Sequence, residues 1–253
     1  LHDLDPKPLE ERCQRSLGAT MDKGSKRTVT IKAEPESIRI DFSRTAIIVV
    51  DMQNAFVRKG GYFDLIGIDI SSIEKILEPC RNIISEARVK GIKIVYLQMA
   101  YSPDLSDAGP KDSPASQKSR SLSLIREHPE LRDKLCLSGS WGAEIIEELK
   151  PEPGDIIVRK QKYDGFIGTN LDIILRTFGI KYLIYLGTAT NICVESTMRR
   201  SFFLDYFPIL VSDAVIQKGP KMMQDATILN VQNTFGWVTD SVRLMKAMDH
   251  IKD

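Results

Sequence analysis

Three side chains able to do covalent chemistry fall at or just beyond the ends of predicted β-strands. Asp51 follows the apolar run Thr45-Ala-Ile-Ile-Val-Val50, Lys160 follows the strand predicted over 155–159, and Cys193 follows the strand predicted over 181–186. Their spacing along the chain is arbitrary, but parallel strands of one sheet would bring all three to a common rim. A cysteine in the first turn of a helix gains from the terminal amides, which favour its thiolate. A nearby ammonium favours it further, and a carboxylate can take the thiol proton and return it to a leaving amine. Backbone N–H groups in the turn Thr188-Ala-Thr-Asn-Ile-Cys193 would then hold the oxyanion while a thioester forms. Each residue also has a plainer reading: Asp51 as a turn cap, Lys160 as part of a solvated basic run over 159–162, and Cys193 as core packing. Spacing leaves both readings open.

Histidine is scarce, and this narrows the chemistry more than composition does. His2, His128 and His250 all sit in polar surroundings, so a Ser-His-Asp or Cys-His site is hard to build, as is a zinc or iron site needing several imidazoles. The Asp, Lys and Cys trio needs none. The four cysteines, Cys13, Cys80, Cys136 and Cys193, show no C-x-x-C spacing, which suits free thiols in a reducing compartment.

The elements that must position the trio alternate regularly. After the first apolar strand, Ile73, Ile76, Leu77, Cys80, Ile83, Ile84 and Ala87 recur three and four apart on one face of a long helix that contains Pro79. Strands are expected over 92–97, 155–159, 181–186, 208–211 and 236–238, and helices over 141–149, 170–178, 191–204, 220–231 and onward to 247. Six strands alternating with helices specify an α/β chain, a three-layer α/β/α sandwich around a six-stranded parallel sheet. Residues 1–40 lack apolar periodicity and are expected as a mobile or surface-wrapping extension, leaving 41–253 as the domain proper. Residues 101–123 read as a loop bordering the active site or a neighbouring subunit, or as a plain surface excursion.

The 253 residues carry 35 basic and 34 acidic side chains, a formal charge of +1. There is no general excess to hold nucleic acid or an anionic membrane. The longest apolar runs are too short to cross a bilayer, and the first twenty residues carry charges where a signal peptide needs an apolar core. A cytoplasmic protein is expected.

The runs Ile48-Val-Val-Asp-Met-Gln-Asn-Ala-Phe56, Lys160-Gln-Lys-Tyr-Asp-Gly-Phe166 and Gly187-Thr-Ala-Thr-Asn-Ile-Cys-Val-Glu-Ser-Thr197 resemble the three signature segments of the isochorismatase-like cysteine hydrolases. The resemblance spans about residues 42–248. It implies Asp51 as general base, Lys160 as support for thiolate and intermediate, and Cys193 as nucleophile. It also implies a non-proline cis bond at Thr188-Ala189, with the N–H groups of Ala189 and Cys193 as oxyanion donors, no cofactor, and a homodimer or homotetramer. Within the family, Gly60-Gly-Tyr-Phe-Asp64, Gly139-Ser-Trp141, Phe202-Phe-Leu-Asp-Tyr206 and Phe235-Gly-Trp-Val238 are similar to the ureidoacrylate (peroxyureidoacrylate) amidohydrolases of bacterial pyrimidine degradation. Asp164-Gly165, where many relatives have Ser-Ala or Ser-Gly, and the long amino-terminal segment are departures. They leave room for a biuret, triuret or other N-carbamoyl substrate. An isochorismatase-like domain kept as a non-catalytic interaction partner is the opposing reading.

A ureido substrate needs hydrogen-bonding side chains and a flat apolar wall. Gln98 is the first candidate for its amide or carboxylate end, with a strand-end Gln satisfying loop backbone as the plain alternative. Asn54 is placed to orient Asp51 or the substrate, or to cap a turn. Phe56, Trp141 and Tyr163 are candidates for the wall, joined by Tyr62 from the neighbouring loop, although each also suits ordinary packing. Glu195 and Ser196 are expected to support the helix start beneath the nucleophile.

Overall fold

A strand that is apolar at every position has to be covered on both faces, and Thr45–Val50 is buried at all six residues. In the computed structural model, which describes residues 26–252, this segment lies inside the central sheet. The strands are β1 (Thr28–Ile31), β2 (Ile38–Asp41), β3 (Thr45–Val50), β4 (Lys93–Met99), β5 (Ile156–Lys160), β6 (Tyr182–Thr188), β7 (Phe207–Ile216) and β8 (Trp237–Thr239). The helices are α1 (Asn54–Val57), α2 (Tyr62–Leu65), α3 (Glu74–Val89), α4 (Pro114–Lys118), α5 (Arg120–Glu127), α6 (Leu171–Thr177), α7 (Glu195–Phe203), α8 (Lys221–Asn230) and α9 (Ser241–Asp249). Strands β3 to β8 form one six-stranded parallel sheet in the order β5-β4-β3-β6-β7-β8. The expected α/β/α sandwich is the architecture found.

Side chains of β3 alternate between two cores, as a strand period of two requires. Ile47 and Val49 join the cluster that includes Ile76, Cys80, Ile83 and Ile84 of α3 and Leu244 and Met248 of α9. Ala46, Ile48 and Val50 face Leu171 and Leu175 of α6 and Met198 of α7. The chain runs from β3 outward through β4 to β5, then returns to place β6 on the other side of β3. Strand order therefore reverses between β3 and β6, and the crevice at their carboxyl ends is where such folds carry sites.

Three expectations need correction. Residues 28–40, assigned to the extension, form with Asp41 an antiparallel hairpin of β1 and β2. Ile31 and Ile40 are fully buried, and Glu34 exchanges two backbone hydrogen bonds with Val238 at the far edge of the sheet. The alternation that makes this hairpin amphipathic is only four residues long per strand, so charged neighbours mask it. Residues 1–25 of the expected extension lie outside the described residues. The helix expected over 141–149 is absent. Two short 3₁₀ turns, Trp141–Ala143 and Glu147–Leu149, stand in its place. The carbonyls that would close helical turns are used elsewhere: Trp141 O accepts from Asn54 Nδ2, Ala143 O from Gln53 Nε2 and Gln98 Nε2, and Glu144 O from Asn54 N. The stretch 101–123 is also less irregular than expected, because α4 and the start of α5 fall within it.

Replacing Ile40 with Ala tests whether the hairpin belongs to the fold. Denaturant unfolding is expected to show a loss of about 2–5 kcal/mol, the range for emptying a buried aliphatic site, whereas a loosely attached extension would show no change.

Candidate active site

The rim between β3 and β6 gathers the three predicted groups. Asp51 directly follows β3 and takes a left-handed backbone conformation, φ 49°, a region Asp tolerates better than most residues. Its N–H donates to Leu97 O, and its Oδ1 accepts from Met99 N, at 3.0 and 3.1 Å. These bonds fix the carboxylate against the end of β4. Lys160, the last residue of β5, lies two strands away from β3. Its side chain passes the end of β4, and Nζ donates to Asp51 Oδ2 at 2.8 Å and to Lys162 O at 3.2 Å. The pair is almost wholly enclosed, with 0% and 1% of the two side chains exposed.

Cys193 lies in the turn Thr190–Val194, a single wide helical turn that leads into α7. The turn hangs from β6 through Gly187 and the cis bond Thr188-Ala189, the position expected from the sequence. Gly187 has φ 108°, and a Cβ there would sit 2.2 Å from Val50 O, so only glycine lets β6 run this close to the end of β3. Thr197 Oγ1 donates to Cys193 O at 2.6 Å and accepts from Gly165 N at 3.0 Å, tying the turn to the segment after Lys160. Glu195 pairs with Arg199 and accepts from Thr227 Oγ1, so it braces the start of α7 against α8.

The Cys193 thiol is close enough to interact with both Asp51 and Lys160. Burial raises its pKa, Lys160 opposes this, and Asp51 adds to it, so the net direction is upward. The helix-start argument from sequence pointed the other way. It omitted the loss of solvation around sulfur, and burial is the larger effect. Lys160 is pulled down by its own desolvation, but the charge of Asp51, followed by Cys193, holds it above the ordinary lysine value. The resting site is thus a neutral thiol beside an ion pair. A carboxylate already beside the sulfur can accept the proton as the sulfur attacks, which removes the need for a standing thiolate.

A narrow cavity of about 50 Å³ opens over the sulfur. Phe56, Tyr62 and Tyr163, three of the predicted wall residues, line it, and Phe56, Tyr62 and Phe63 pack ring to ring with centroids 5.0–6.1 Å apart. Burial pushes the Tyr62 hydroxyl up to about 12. Gln98, Asn54 and Trp141 are not among the residues lining this cavity. Gln98 and Asn54 hold the 141–144 backbone, and the Trp141 ring lies under Lys134 Nζ at 4.5 Å. For Gln98 the plainer reading, a strand-end amide serving loop backbone, describes its bond. The sequence reading missed Gln53, fully buried, which bonds Met99 N, Met99 O and Ala143 O. It also missed Met99, Tyr101, Ser119, Ser121, Cys136, Ile192 and Lys218 as cavity residues. Ser119 and Ser121 come from the 101–123 stretch and the start of α5, which therefore borders the site. Among the described residues, no group of three His, Cys, Asp or Glu side chains is placed to hold a metal ion.

A parallel-sheet fold with cysteine, carboxylate and ammonium gathered at its switch point defines a class of hydrolase-like proteins. The sequence model of the isochorismatase domain matches residues 45–242, and this chain belongs to the isochorismatase family. Ureidoacrylate amidohydrolase RutB of Serratia proteamaculans (strain 568) is 45% identical over 213 residues, covering 84% of this chain and 86% of that protein. The crystal structure of a cysteine hydrolase from Pseudomonas syringae pv. phaseolicola 1448A is 28% identical, with a TM-score of 0.70 over 84% of this chain and 96% of that one. N-carbamoylsarcosine amidase from Thermoplasma acidophilum, also 28% identical, gives a TM-score of 0.59 over 78% of this chain and 96% of that one.

The raised thiol pKa has a measurable consequence. The alkylation rate of Cys193 by iodoacetamide in the free protein is expected to climb steadily from about pH 7 to about pH 9, because the thiolate fraction is still growing there. A plateau reached near neutrality would instead mean a preformed thiolate.

Proposed function

We propose that this chain is an amidohydrolase that cleaves the ureido group of ureidoacrylate, or its peroxy form, through a covalent intermediate on Cys193. The observation that carries the reading is the buried Asp51–Lys160 pair beside a thiol at the floor of an aromatic cavity. The similarity to RutB over most of both chains supports the substrate. Sulfur attacks the carbamoyl carbon, a C–S bond forms, and the thiol proton passes to Asp51. The tetrahedral oxyanion is held by the N–H groups of Ala189 and Cys193. The C–N bond then breaks as Asp51 returns the proton to the leaving nitrogen, releasing aminoacrylate. Water attacks the remaining carbamoyl thioester with Asp51 again taking its proton, and carbamate leaves as the thiol is restored. Lys160 pairs with Asp51 and offsets negative charge near the sulfur. No step calls on a cofactor.

Phe56, Tyr62 and Tyr163 supply the flat wall for the planar ureido group, while Asn54, Gln98 and Trp141 hold the framework behind it. The reading carries with it a cytoplasmic setting and a homodimer or homotetramer. Exposed Phe202 and Phe203, in edge contact with each other and with half-buried Phe235, offer an apolar patch for self-association. Among the described residues, no helix is long and apolar enough to cross a membrane.

Cys193→Ala is expected to abolish turnover while leaving the thermal unfolding transition in place. In a panel of ureidoacrylate, biuret, triuret, N-carbamoylsarcosine and nicotinamide, ureidoacrylate is expected to show the highest kcat/KM. A C193A protein that turns over normally would end the proposal, and a preference for biuret would move the substrate to the runner-up class.

A further inference from the structure

The cavity over Cys193 holds a cation that the mechanism above does not use. Lys218 lies just after β7, half-buried in the cavity wall. Its Nζ stands 5.5 Å from the ring centroid of Phe63 and 6.0 Å from that of Tyr62. Burial lowers its pKa, and the neighbouring Cys193 sulfur acts in the opposite direction. None of the residues lining the cavity is acidic. Lys160, by contrast, is neutralised by Asp51. The cavity therefore presents one uncompensated positive charge among the described residues.

Lys218 is anchored to the nucleophile turn. Its N–H donates to Asn191 Oδ1 at 2.9 Å, and its carbonyl accepts from Asn191 Nδ2 at 3.2 Å. Asn191 belongs to the turn that carries Cys193, so the ammonium and the sulfur share one support. A second polar group in the same wall also lacks a partner. Ser121, 7% exposed, lines the cavity, and its Oγ makes no hydrogen bond of ordinary geometry although the Cys136 thiol neighbours it. A buried hydroxyl and a partly desolvated ammonium both gain when an acceptor enters. A carboxylate brings two acceptor oxygens and the opposite charge.

We propose that Lys218 recognises a carboxylate, so that the cavity selects ureido compounds joined by a short chain to an acid group, with the Ser121 hydroxyl as a further donor. The proposal rests on the ureido-hydrolysis reading and adds its selectivity device. Neutral ureas leave the ammonium unpaired and are disfavoured for that reason.

Two measurements on full-length Lys218→Met and Lys218→Arg proteins test this. The first is the ratio of kcat/KM for ureidoacrylate to that for its neutral primary amide. It is expected to fall about tenfold or more in K218M, mainly through KM of the acid, and to recover largely in K218R. The second needs no substrate: the ratio of Cys193 alkylation by iodoacetate to that by iodoacetamide is expected to fall several-fold in K218M and hold in K218R. Where ureidoacrylate is turned over, an unchanged turnover ratio in K218M overturns the proposal and leaves ureido hydrolysis standing. Where the wild-type protein hydrolyses no ureido compound, the ureido reading fails, and the alkylation ratio alone decides whether Lys218 recognises carboxylates.

Discussion

A carboxylate and an ammonium enclosed in protein must face each other, because either one alone costs several kcal/mol more than the fold can spare. The Asp51–Lys160 pair at 2.8 Å is the constraint on which this site depends. It fixes strand order: β5 and β3 are separated by β4, roughly 10 Å in a sheet, and the four-carbon stem of lysine suits that reach. It also explains the framework behind the pair. Met99 N bonds both Asp51 Oδ1 and Gln53 Oε1, and Gln53 and Gln98 together hold Ala143 O. The 141–149 segment gives up a helix to serve as acceptor for this network.

The pair sets the chemistry as much as the geometry. Burial raises the thiol pKa, which disfavours a second buried anion beside Asp51, and in the proposed reaction attack is coupled to proton transfer into a carboxylate already in place. This arrangement does without the imidazole that the sequence lacks near the site. The same burial shields the pair, so the charges of Asp51 and Lys160 act on each other at short range with little screening.

Much of this was legible in the sequence. The continuous apolar run before Asp51 and the helical period of 73–87 fixed the central strand and its covering helix, because each pattern is long and matches a single element. The trio was legible because each member lies at a strand end, where a parallel sheet converges. Other features were not. The β1–β2 hairpin hides four-residue alternations among charges. The 141–149 segment has helical periodicity but spends its carbonyls on Gln53, Asn54 and Gln98, a competition visible only in three dimensions. Lys218 sits in a polar stretch, Ile216-Gln-Lys-Gly219, and nothing in its local pattern shows that its side chain turns into a cavity. The pKa direction of Cys193 was misjudged because a sequence shows helix starts but not desolvation.

Quenched-flow mass spectrometry of wild-type and Asp51→Asn protein with ureidoacrylate tests the central claim most directly, by following carbamoylation of the peptide that contains Cys193. The account predicts an adduct on Cys193 within the first turnover, formed about 10²–10⁴-fold more slowly in D51N as the proton acceptor is lost. An adduct on Cys136, or equal rates in the two proteins, would contradict it.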